Sequence, residues 1–83
     1  MRIDLPSVCA SEVTANELFS QIPAGERIEI HARRVAVATM LFVRTVAAHL
    51  NDARPSKVII HGAPEELYEP LGELVSGLVV MRF

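Results

Sequence analysis

The chain has 83 residues, 51% of them hydrophobic and 22% charged, with a formal net charge of −2. That length accommodates one domain, and the balance excludes disorder, which needs low hydrophobicity and high net charge. Eight basic residues against ten acidic ones, with Arg33-Arg34 the only basic pair, exclude the basic face that a nucleic-acid-binding protein presents.

Arg2-Ile3-Asp4-Leu5 alternates polar and apolar residues, the pattern of a strand with one buried face, and Pro6-Ser7 closes it. Ala15, Leu18, Phe19 and Ile22 then fall at helical spacing, with Thr14 and Glu17 placed as a capping box. Pro23 and Gly25 stop that helix. Arg27-Ile28-Glu29-Ile30-His31 alternates again and predicts a second strand. From Ala38 to Leu50 apolar residues cover nearly every side, so this is the central, mostly buried helix. Asn51-Asp52 and the following Pro55 are its predicted end.

Lys57-Val58-Ile59-Ile60-His61 is a third strand rich in β-branched residues. Gly62-Ala63-Pro64-Glu65-Glu66 opens a third helix, with proline in the first turn and two carboxylates at the positive end of the dipole. Leu67, Leu71, Leu74 and Val75 form its apolar stripe, and Gly77 is its predicted C-cap. Pro70 lies too deep for the first turn and predicts a kink or a later helix start. Leu78 to Phe83 is the last strand.

The order β-α-β-α-β-α-β predicts a single α/β domain over residues 1–83, with a largely parallel four-stranded sheet joined by right-handed crossovers. Parallel sheets covered on both faces read as continuous apolar runs. The first two strands depart from that pattern: Ile3, Leu5, Ile28 and Ile30 face the helices, while Arg2, Asp4, Glu29 and His31 face the other way. One sheet face is therefore wet, and the domain has two layers; such a face would also be open to pairing with a second copy. The longest apolar stretch, Val35 to Leu50, contains Arg44 and His49 and falls short of the ~20 residues of a membrane span. The start of the chain lacks a signal peptide's pattern, and the single cysteine, Cys9, forms no internal disulfide, which points to the cytoplasm.

This succession, with a strand-to-helix junction at Val35 to Phe42, resembles the STAS domain of bacterial anti-sigma-factor antagonists. The pieces that carry the likeness to a compact STAS-like subgroup are Arg2–Leu5, Glu17–Gly25, Val37–Phe42 and Val58–Leu67. They mark topology and turn chemistry, and the chain lacks the extra N-terminal strand usual in the family. The resemblance implies a non-catalytic regulatory module. Its partner would be an anti-sigma factor or a histidine-kinase-like ATPase, or it would serve as the STAS subunit of a larger assembly such as an ABC transporter.

In phosphorylatable antagonists the junction reads Asp-Ser-Ser/Thr-Gly, and a kinase modifies a hydroxyl at the start of the following helix. A phosphate there lies against free backbone N–H groups and changes the docking face by almost two charges. Here the junction reads Thr39-Met40-Leu41-Phe42. Met40 and Leu41 stand in the acceptor positions and have no hydroxyl. Thr39 stands where the family has aspartate, which leaves it as the one phosphorylation candidate, though threonine at a helix start commonly serves as an N-cap.

One turn of helix cannot point Met40, Leu41 and Phe42 all inward. With Thr39 and Arg44 they form the predicted partner-binding surface, suited to a constitutive contact. A second set, Cys9, His31 and His61, collects near the carboxyl ends of the strands, where open α/β sheets bind ligands. These residue types are zinc ligands, yet their spacings match no zinc motif and show no fourth member. They read instead as semi-exposed strand-end histidines and a small buried thiol, with no metal or cofactor required, and a small-molecule- or metal-binding domain is the remaining alternative function. His49 is placed for a cap-like role at the end of the central helix. Glu65, Glu66, Glu69 and Glu73 form an acidic helix face that would steer a basic partner. The chain carries no nucleophile elbow, phosphate loop or dinucleotide fingerprint, so the predicted protein is not an enzyme.

Overall fold

Alternation in Arg2–Asp4 (β1) and Arg27–His31 (β3) buries one side of each strand, while Lys57–His61 (β5) buries Val58, Ile59 and Ile60 in succession, and these three strands join Leu78–Met81 (β6) in one sheet. The computed structural model describes residues 1–81. Between these strands lie Val8–Cys9 (β2), Glu12–Phe19 (α1), Val37–Ala38 (β4), Met40–Ala53 (α2) and Glu65–Leu74 (α3). The sheet order is β1-β3-β5-β6, with every pair parallel.

A strand order that simply follows the chain has a consequence for layering. Each right-handed crossover moves in the same direction, so all three helices land on one face. Burial agrees with this. Ile3, Ile28, Ile30, Val58 and Ile60 pack in one core with Phe19, Phe42, Val43, Val46, Leu50, Leu67 and Leu71 from the helices. The opposite face carries Arg2, Asp4, Arg27, Glu29, His31, Lys57 and His61, none of them buried. Ile59, Val79 and Met81 break that polarity: Val79 and Met81 are exposed, while Ile59 is buried yet lies outside the main core, in register between Glu29 and Val79. The domain is thus a two-layer α/β slab.

The helices begin and end for local reasons, and several differ from the sequence prediction. Ser11, not Thr14, caps α1: its Oγ accepts the Thr14 amide at 3.2 Å, so the helix starts one turn earlier, and Ile22 lies beyond its end. Helix α2 runs past Asn51-Asp52 to Ala53 and closes on Arg54 in the left-handed region. Asn51 stays helical because its side chain turns outward, donating to the Leu74 carbonyl at 2.9 Å and satisfying the end of α3. Helix α3 is continuous through Pro70 and has Val75 as its C-cap, so the later start does not occur. Gly77 instead supplies a positive φ in the turn to β6. The predicted final strand includes residues 82 and 83, which lie outside the described residues.

The feature absent from the sequence reading is a second, two-stranded parallel sheet, β2-β4. After Pro6 and after the Arg33-Arg34 turn, the chain leaves the main sheet and pairs again. Ser7 accepts from the Ala36 and Val37 amides, and Cys9 accepts from the Thr39 amide. This clip sets the first turns of α1 and α2 side by side. Among the described residues, no helix is long and apolar enough to cross a membrane.

Candidate functional site

Two places on the surface bring together the residues singled out by sequence. The first is the start of α2. Thr39 is its N-cap: the hydroxyl accepts the Phe42 amide at 3.3 Å and donates to the Ala10 carbonyl at 3.1 Å. Both polar capacities of the oxygen are engaged in holding the junction. The next residues divide as helix geometry requires. Phe42 is fully buried, while Met40 and Leu41 are 47% and 51% exposed. Phe42 therefore leaves the predicted contact surface and joins the core. Arg44 lies one turn on and is exposed.

The clip adds apolar residues that periodicity did not reveal. Val8 and Val37 are register partners and are 56% and 47% exposed. Beside them a shallow cleft of about 440 Å³ runs between the α2 start and α3, lined by Ala38, Met40, Pro70, Glu65, Glu66 and Glu69. One wall is apolar and the other acidic.

The second place is the bare sheet face at the carboxyl ends of β3 and β5. His31 and His61 are exact register partners, so parallel pairing puts their rings on the same side. The rings stack with centroids 4.5 Å apart and planes 11° from parallel. Strand period places Glu29 on that same side, and its Oε1 meets His61 Nε2 at 3.0 Å. The hydrogen bond to His61 holds the Glu29 carboxyl below its ordinary value, and the nearby positive charge of Arg27 acts in the same direction. Arg2 and Asp4 form an ion pair at 3.1 Å on the neighbouring edge strand. A cleft of about 380 Å³ opens next to His31, lined also by Arg2, Asp4, Leu5, Arg33 and Arg34.

Cys9 does not belong to this group. It is buried with 0% exposure, its thiol donates to the Pro6 carbonyl at 3.3 Å, and burial raises its pKa. The sequence set Cys9, His31 and His61 is thus resolved into a core thiol and a histidine pair, with Glu29 as the third polar group. Glu29 was legible as a same-face neighbour of His31 two residues away. His49 is not a cap; its Nε2 lies 2.7 Å from Asn16 Oδ1 and ties α2 to α1.

No family model, curated protein or solved structure matches this chain. The class defined by fold and geometry is a two-layer parallel α/β domain with an apolar junction and a polar sheet face.

Proposed function

We propose that this domain is a non-catalytic protein-interaction module of the STAS type, working in the cytoplasm and docking through the start of α2. The observation that carries the reading is the side-by-side exposure of Met40 and Leu41 on a helix whose next residue is fully buried. Isolated exposed apolar residues are ordinary, but here Val8 and Val37 continue the exposure on the adjoining clip. Glu65, Glu66 and Glu69 across the cleft complement a partner with an apolar centre and a basic rim.

The resemblance makes an anti-sigma factor or a histidine-kinase-like ATPase the partner. Met40 and Leu41 replace acceptor hydroxyls, and the Thr39 oxygen is committed to the cap, so the contact is constitutive rather than switched by phosphate. The test is binding of a purified anti-sigma or kinase-like ATPase to the wild-type domain and to Leu41→Asp, with melting temperature as a fold control. Binding by the wild type and its loss in the variant, at unchanged melting temperature, is the expected result. Equal binding by both proteins would remove the junction from the mechanism.

A further inference from the structure

We propose that Glu29, His31 and His61 form a binding site for a divalent transition-metal ion of the zinc class on the open face of the sheet. One ligand atom from each residue lies within 4.8 Å of the others. Tetrahedral zinc, with bonds of about 2.0–2.2 Å, needs ligand atoms roughly 3.3–3.6 Å apart. The difference is within reach of side-chain rotation, because all three residues are only partly buried and stand on adjacent strands.

The chemistry of the set is specific in a way the acidic helix face is not. Imidazoles suit zinc, copper and nickel, whereas a carboxylate cluster suits magnesium or calcium. Two imidazoles and one carboxylate supply three ligands and leave a fourth position for water or an exogenous group. The backbone prepares this arrangement: exact pairing of His31 with His61 fixes both ring origins, and Glu29 follows from strand period alone. Local charge does not forbid a dication, since the Asp4 and Glu29 carboxylates stand against the Arg2 and Arg27 guanidinium groups. Arg33 and Arg34, lining the cleft beside His31, would favour an anion as the fourth ligand.

A bound ion would cross-link β3 and β5 in the middle of the sheet, so it stabilises the folded chain by mass action. It does not involve the α2 junction, and the two proposals stand or fall separately.

The experiment is calorimetric titration of the full chain with zinc chloride at near-neutral pH, alongside NMR of the imidazole resonances. One ion per chain is expected, with the signals of His31 and His61 shifting and those of His49 unmoved. Losing an outer-shell partner of a metal site typically costs about 10–100-fold in affinity. His31→Ala and His61→Ala should each cost at least that much, and Glu29→Gln should weaken binding measurably. His49→Ala and Cys9→Ala should bind as the wild type does. Absence of binding at millimolar zinc, wild-type affinity in folded His61→Ala, or an effect confined to His49 would overturn the assignment. Should His61→Ala fail to fold, the imidazole shifts of the wild type decide alone.

Discussion

The Thr39 hydroxyl donates to the Ala10 carbonyl at 3.1 Å while accepting the Phe42 amide at 3.3 Å. One oxygen therefore caps α2 and fastens it to the segment leading into α1. An N-cap threonine is typically worth about 1 kcal/mol, and the partly buried Ala10 carbonyl would lose its side-chain donor as well. Thr39→Ala is expected to lower stability by about 1–2 kcal/mol in urea denaturation, while Thr39→Ser keeps most of it. Equal loss in both variants would show that the hydroxyl is not the stabilising group.

Leu41 and Phe42 are neighbours in sequence with opposite environments. Phe42→Ala removes a fully buried ring and should cost about 3–5 kcal/mol. Leu41→Asp should stay within about 0.5 kcal/mol of wild type, since a surface change of this kind is mild and a carboxylate suits the first turn. Thermal or denaturant melts of the pair check the split; a large loss in Leu41→Asp would mean that Leu41 is part of the core.

Gly62 and Gly25 both have positive φ, at 67° and 73°, but only Gly62 is crowded. A β-carbon at position 62 would run into the Arg33 side chain, whereas at position 25 it meets nothing within 4 Å. Left-handed geometry costs a non-glycine residue roughly 1–2 kcal/mol at either site. Gly62→Ala should therefore lose more stability than Gly25→Ala, the excess reflecting displacement of Arg33. The reverse ranking in denaturant melts would contradict the close packing of residues 33 and 62.

Cys9 sits in the core with its pKa raised by burial. A raised folded-state value means that the folded chain holds its proton longer than the unfolded chain does. Its stabilising contribution is whole below the ordinary thiol value of 9.0 and is lost as pH rises toward the folded-state value. Stability should fall more steeply above that pH in wild type than in Cys9→Ala. Thiol reagents should label Cys9 slowly in buffer and rapidly once denaturant is added; prompt labelling of the native chain would refute its burial.

The succession of strands and helices was enough to predict a parallel sheet, and alternation at residues 2–5 and 27–31 to predict a wet face and two layers, because a period of two is directly visible in sequence. The β2-β4 clip was not visible, since two-residue strands carry no periodicity and exist through hydrogen bonds between distant segments. Helix ends were misread where a competing hydroxyl lay one turn away: Ser11 rather than Thr14 receives the capping amide. Asn51 looked like a terminator, yet its partner is a carbonyl of another helix, 23 residues distant. The junction residues were found from sequence, but separating buried Phe42 from exposed Met40 and Leu41 required the helix phase relative to the sheet. At the histidine pair, residue types and strand positions were legible. The pairing register that stacks the rings was not, and Cys9 was grouped with them for want of it.

The strand sequence that sends every helix to one side divides the labour within each strand. Side chains at one parity hold the molecule together, and those at the other parity have almost no such duty, Ile59 excepted. A lineage carrying this architecture could therefore rewrite the solvent-side alphabet at positions such as 29, 31 and 61 while leaving its foldability nearly intact. New chemistry could be sampled there without first having to rebuild the scaffold.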